Sequence, residues 1–149
     1  MKLFQKVTVI GVGLLGASLA KACKKRGLVN EITGYGRNRE NLIKAKNLKI
    51  IDHYFGDLSE AVSDADLVVL CTPVSTIVPL IQSLVSQVQP GTIITDVGSV
   101  KESVVHRADK LIPEGIFFVG SHPIAGGENS GLESSTESLY QDTKCIVTP

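Results

Sequence analysis

The chain has 149 residues, with 15 lysines and arginines against 15 acids and a formal net charge of zero. That length suits one domain able to bury about 70% of its unfolded surface, and the balanced charge argues against a nucleic-acid or membrane-surface protein. No apolar run approaches the ~18 residues of a membrane span and no signal-peptide pattern opens the chain, so a cytoplasmic location is expected. The three cysteines, Cys23, Cys71 and Cys145, are odd in number and far apart. They read as buried structural thiols, with neither a disulfide nor a zinc or other metal site supported.

Lys6–Ile10 is a β-branched apolar run suited to a buried strand. Gly11, Gly13 and Gly16 follow at the spacing G-x-G-x-x-G, and a helix-forming run from Leu14 to Cys23 ends in Lys24-Lys25-Arg26 and a Gly27 stop. Strand, turn and helix in register favour a dinucleotide-binding turn over a plain glycine-rich loop. Gly11 permits the tight turn, Gly13 lets a pyrophosphate approach the backbone, and Gly16 lets helix and strand pack closely. The helix N-terminus offers free N–H groups and a partial positive charge to phosphates.

Glu31–Tyr35 predicts a second strand, and Gly36-Arg37-Asn38-Arg39 the turn after it. In dinucleotide-binding folds an Asp or Glu at about this place accepts a hydrogen bond from the ribose 2′-hydroxyl. Here Gly36 stands there and Arg37 follows. Arg37 is free to pair with a 2′-phosphate, to stack on adenine or to stay solvated. The missing carboxylate leans the reading slightly to NADP over NAD, with use of both open.

Asn38 caps a helix expected to run to about Lys46, Leu48–Ile51 reads as a short third strand, and Asp57 opens a short helix ending near Ser63. Asp66–Cys71 is an almost unbroken apolar strand, as expected when helices cover both faces, and it ends in Thr72-Pro73. Ile77, Leu80, Ile81, Leu84, Val85 and Val88 recur at helical spacing, with Pro79 expected in the first turn. After Pro90-Gly91, Thr92–Asp96 is the next strand. Ser99, three residues before Glu102, predicts a capping box for a helix to about Leu111. Beyond Pro113 and Gly115 come a strand over Ile116–Ser121, a loop from His122 to Glu128, a short surface helix within Asn129–Asp142 and a last strand over Lys144–Thr148. This alternation implies a Rossmann-type, doubly wound α/β fold: a mostly parallel sheet with helices on both faces.

In such sheets ligands lie beyond the carboxyl ends of the strands. Four segments meet that criterion: Gly11–Gly16, Thr72-Pro73, Asp96–Ser99 and Ser121–Glu128. Of the three histidines, His122 alone sits there; His106 reads as solvated, and His53, in a connection, has no assigned role. A loop histidine bonding local backbone is the plain reading of His122, but its strand-end setting and the glycines after it favour a functional one. Ser99 is already accounted for as a helix cap, which does not exclude a ligand contact. Lys101 opposes the helix dipole by about 0.3–1 kcal/mol, a cost that a nearby anion, Glu102 or another, would offset.

The stretches GVGLLGASLA, GYGR, CTPV, DVGSVK (Asp96–Lys101) and GSHPIAGGENSG (Gly120–Gly131) run the length of the chain. On them the sequence resembles the prephenate and arogenate dehydrogenases of tyrosine biosynthesis. The resemblance implies oxidative decarboxylation of a small dicarboxylate, prephenate or arogenate, with hydride transfer to NAD or NADP. It implies that His122 is the base for the ring hydroxyl, that Ser99 orients that histidine and the hydroxyl, and that Glu128 guards the substrate entrance. The implied cofactor contacts are Gly11, Gly13, Leu14, Leu15, Gly16, Gly36, Arg37, Asn38, Thr72, Pro73 and Gly98.

The family commonly has Ser or Thr before that acid, where this chain has Gly127. Family members also continue into a helical domain that makes a homodimer and contributes substrate-binding residues. Residues 1–149 are therefore expected to be the NAD(P)-binding domain of a longer enzyme, binding cofactor but turning over prephenate poorly without the second wall of the pocket. Two competing readings share the glycine turn. One is a β-hydroxyacid-type dehydrogenase with a catalytic lysine in a further helical domain. The other is a nucleotide-sensing module in which His122 does nothing catalytic.

Overall fold

A computed structural model describes residues 1–148, built on a seven-stranded sheet. Its strands are β1 (Phe4–Ile10), β2 (Val29–Tyr35), β3 (His53–Tyr54), β4 (Leu67–Leu70), β5 (Ile93–Asp96), β6 (Phe117–Pro123) and β7 (Cys145–Thr148). They lie in the order β3-β2-β1-β4-β5-β6-β7. β1 to β6 run parallel and β7 antiparallel to β6. The connecting helices are α1 (Leu14–Lys25), α2 (Arg39–Asn47), α3 (Leu58–Val62), α4 (Val74–Leu84) and α5 (Glu102–Ala108). The doubly wound, Rossmann-type fold is the one expected. Among the described residues no helix is long and apolar enough to cross a membrane.

Each face of the sheet has its own core. Val7, Val9, Ile32 and Val69 pack with Ala17, Ala20, Leu42 and Ala45 of α1 and α2. Ile10, Val68, Leu70 and Ile94 pack with Val62, Ile77, Ile81, Leu84 and Val104 of α3, α4 and α5. Val68, Val69 and Leu70 are all buried, which is why β4 reads as an unbroken apolar run rather than an alternating one. The chain crosses from one side of β1 to the other between β3 and β4, so the strand order reverses between β1 and β4. That reversal opens a crevice at the carboxyl edge.

Leu48–Ile51 is not a strand. It closes α2: Lys49 adopts a left-handed φ of 59°, its N–H bonds the Lys46 carbonyl at 2.9 Å, and the Ile50 N–H bonds the Ala45 carbonyl at 2.9 Å. This is the Schellman pattern, and Ile50 and Ile51 are apolar because the turn buries them. The strand follows at His53–Tyr54, where His53 pairs with Thr33 and its Nε2 lies 3.7 Å from the Glu31 carboxylate.

Pro79 lies in the second turn of α4, not the first, on its exposed side, where water can meet the carbonyl left without a donor. No α-helix forms within Asn129–Asp142. Gly131, at φ 92°, leads into a single 3₁₀ turn, Leu132–Ser134. The Ser135 hydroxyl donates to the Leu132 carbonyl at 2.6 Å and the Thr143 hydroxyl to Tyr140 at 2.8 Å. Such hydroxyls compete with helical hydrogen bonding. Of the three free cysteines Cys145 is exposed, because β7 is an edge strand, so the expected burial holds in part for Cys23 and Cys71 alone.

A lysine at the left-handed position closing α2 is strained where glycine is not. Lys49→Gly is expected to stabilise the fold by about 0.5–1 kcal/mol, read as a rise of roughly 1–4 °C in Tm.

Candidate functional site

The glycine turn is built by close approach. Gly11 follows β1 at φ +93°, and a Cβ there would lie 2.6 Å from the Cys71 carbonyl oxygen at the end of β4. A Cβ on Gly16 would lie 2.1 Å from the Gly11 oxygen and 2.8 Å from Val9 Cγ1. Neither position has room for a side chain. Gly13 differs, since a Cβ there would meet nothing within 4 Å. It forms the N-cap of α1, which has no side-chain cap and no acid in its first turn. The first N–H groups of α1 thus face the crevice with no side-chain partner among the described residues.

Seven of the expected cofactor residues, Gly11, Gly13, Gly36, Arg37, Asn38, Thr72 and Pro73, line one cavity of about 430 Å³ at the β1/β4 reversal. Leu14 and Leu15 form the adjoining turn of α1. Gly16 and Gly98 are not on this wall; both are buried against protein. The Asn38 side chain accepts from the Asn41 N–H at 3.1 Å, and Asn41 Nδ2 donates to the Val12 carbonyl at 2.7 Å, tying α2 to the glycine turn. A second hollow of about 600 Å³ shares Tyr35, Gly36, Arg37 and Leu42 and adds Arg39, Tyr54, Phe55 and Glu60. Arg39 was not singled out from sequence, although its place two residues after Arg37 was a usable signal.

Cys71 also lines the first cavity. Burial, with a smaller push from the Asp96 carboxylate, raises its thiol to about 12, so it stays protonated and unreactive near neutral pH.

The segments carrying Ser99 and His122 meet at Asp96. This residue is fully buried. Its Oδ2 accepts the Gly98 N–H at 3.0 Å and the Lys101 ammonium, and its Oδ1 accepts the Ser121 N–H at 3.3 Å. The Ser121 hydroxyl donates to the Asp96 carbonyl at 2.5 Å. Ser99 is therefore not a helix cap. The ion pair draws the chain over the end of β5, and α5 begins at Glu102 with Lys101 at its N-cap. Asp96, not Glu102, is the anion that meets Lys101. Ser99 is left exposed, facing solvent at the carboxyl edge. Asp96 opens one of the four strand-end segments and the DVGSVK motif, but the sequence alone assigns it no role of its own.

His122 lies within β6, opposite Ile146 of β7, rather than in the loop after it. It lines a hollow of about 470 Å³ with Pro123, Ile124, Ala125, Gly126, Leu139 and Thr143. The chain beyond it returns across the carboxyl edge to α1. Gly127 comes within 3.9 Å of Leu14 Cδ2, measured from an added Cβ. The Tyr140 hydroxyl donates to the Leu15 carbonyl at 2.8 Å, and Ser18 Oγ accepts the Thr136 N–H at 3.0 Å. Burial raises the Tyr140 phenol well above its ordinary value, which keeps it a donor. Glu128 is exposed in this returning loop. Among the described residues no group of three His, Cys, Asp or Glu side chains forms a metal site.

The model of the family described as "Prephenate dehydrogenase, nucleotide-binding domain" matches residues 19–149. The chain belongs to that family. The match begins inside α1, past the glycines, so it does not depend on the turn motif. It also decides between the two dehydrogenase families raised by the sequence. The prephenate dehydrogenase of Bacillus subtilis is 35% identical over 144 residues, 96% of this chain and 39% of its own. The prephenate dehydrogenase of Aquifex aeolicus, solved with hydroxyphenyl propionate and NAD+, is 36% identical with a TM-score of 0.89, over 97% of this chain and 50% of its own. Arogenate dehydrogenase of Synechocystis is 34% identical with a TM-score of 0.89, over 97% and 50%. The chain spans half or less of the length of these relatives.

The three glycines should separate by substitution. Gly16→Ala forces a Cβ onto the Gly11 carbonyl and is expected to destabilise by about 1–3 kcal/mol. Gly13→Ala should change stability by less than about 1 kcal/mol while weakening nucleotide binding tenfold or more. Urea unfolding and calorimetric titration with NAD+ read the two effects.

Proposed function

We propose that the chain binds NAD(P) in the crevice and forms the nucleotide half of a prephenate or arogenate dehydrogenase. The observation that carries the reading is the uncapped N-terminus of α1, with open space at Gly13, facing a cavity walled by Gly36, Arg37, Thr72 and Pro73. That cradle fits a dinucleotide diphosphate, which the first N–H groups of α1 would hold. Arg37, with Arg39 beside it, favours a 2′-phosphate on the adenosine, and hence NADP over NAD. A helical domain beyond the nucleotide half, forming a homodimer and closing the substrate pocket, completes the proposal.

When bound, the nicotinamide accepts a hydride from the substrate ring. His122 takes the ring hydroxyl proton as the hydride leaves, because negative charge on that oxygen eases hydride departure. Ser99 orients the imidazole and the hydroxyl, and Glu128 stands at the entrance. As the bond to the ring carboxylate breaks, its electron pair completes the aromatic ring, carbon dioxide departs and the phenolic oxygen regains a proton.

Two measurements test this reading. Arg37→Ala is expected to weaken NADP+ about 10- to 100-fold while leaving NAD+ nearly unchanged; equal losses would remove Arg37 from the 2′-phosphate. His122→Asn in the full-length protein should cut turnover about 10²- to 10⁴-fold with cofactor affinity intact. Unchanged turnover would favour the nucleotide-sensing module instead.

A further inference from the structure

The motifs Asp96–Lys101 and Gly120–Pro123 lie on neighbouring strands, with Asp96 directly opposite Gly120 in the β5–β6 register. Both motifs donate a backbone N–H to one carboxylate, that of Asp96. A Cβ on Gly98 would lie 2.9 Å from Asp96 Oδ2, so the glycine lets its peptide close on that oxygen. A Cβ on Gly120 would lie 2.5 Å from Thr148 Oγ1 and 2.8 Å from Val105 Cγ2, with Lys101 Cδ at 3.5 Å. Here the glycine makes room for Thr148 of β7 and Val105 of α5, and the lysine stem would be in ordinary contact. Asp96 is fully buried and the Lys101 side chain is 11% exposed.

Each backbone donor to the carboxylate sits one residue before a candidate active-site residue: Gly98 before Ser99, and Ser121 before His122. We propose that Asp96 is a positioning residue for the reaction, fixing through these two N–H groups the relative setting of the Ser99 hydroxyl and the His122 imidazole. Lys101 serves it as counter-charge in this buried setting, where the carboxylate draws the two segments together. Stability alone does not call for this arrangement, since an apolar pair of similar volume serves a core equally well or better. What the charged hub adds is one fixed setting for the two segments that run on past the last β5–β6 pair, Val97–Ser99 and Ser121–His122. The inference rests on the proposed roles of His122 and Ser99.

The test uses the full-length enzyme and three variants: Asp96→Asn, Asp96→Asn with Lys101→Met, and His122→Asn. Asp96→Asn is expected to lower kcat about 100-fold, the usual effect of an ångström-scale misplacement, with KM and NAD+ affinity within about threefold. Asp96→Asn strands a buried ammonium and can lose stability for that reason alone. The double variant removes the stranded charge. It is expected to regain Tm while kcat stays low. Recovery of kcat along with Tm, or wild-type kcat in folded Asp96→Asn, overturns the proposal by reducing Asp96 to a structural group. A change confined to substrate KM in the double variant, with Asp96→Asn silent, overturns it too by assigning the effect to Lys101. Wild-type turnover of His122→Asn would instead sink the catalytic reading on which the proposal rests.

Discussion

At the end of β1, Gly11 has no space for a side chain. The Gly11 backbone touches the Cys71 carbonyl at the end of β4 on one side and the first turn of α1 on the other. This contact sets where α1 begins and points its first N–H groups into the crevice where the strand order reverses. The remaining candidate residues reach the same rim because every parallel strand ends there: Arg37 after β2, Thr72 after β4, Ser99 after β5 and His122 at the end of β6. A bulkier turn would push the helix off the strand and misdirect the cradle before any ligand contact was lost.

Much of this was legible because the signals are local. The G-x-G-x-x-G spacing states a steric requirement within six residues, and Asn38 and Asp57 cap their helices as their positions suggest, Asp57 accepting the Ser59 N–H at 2.8 Å. The misreadings share one cause: a spacing that fits one element belongs to residues whose contacts serve another. Ser99 and Glu102 have the spacing of a capping box, but the Asp96–Lys101 ion pair decides where α5 starts. Ile50 and Ile51 look like strand residues yet are apolar because they seal the end of α2. Leu132, Leu139 and Tyr140 carry a rough helical spacing, but Leu132 is buried beside α1 and the Tyr140 hydroxyl bonds α1 at Leu15, so the segment follows the helix surface.

That returning segment links the two halves of the candidate site. β6 lies three strands from β1 in the sheet, so the end of β6 that carries His122 and the glycine turn would not meet through strand order alone. The polar stretch beyond Gly127 crosses the edge and is held to α1 by hydrogen bonds from Lys21, Thr136 and Tyr140. A serine-rich stretch with little hydrophobic signal thus does structural work that composition does not announce. It also brings Leu139 and Thr143 to the His122 hollow.

The central claim is that one rim holds the diphosphate and aims the imidazole at the nicotinamide. A crystal structure of the protein with NAD+ bound tests it most directly. The account predicts the diphosphate on the N-terminus of α1 and the nicotinamide running past Thr72 toward β6, with His122 near enough for one substrate ring to bridge them. A nicotinamide directed toward β3, with His122 beyond the reach of any bound ring, would contradict it.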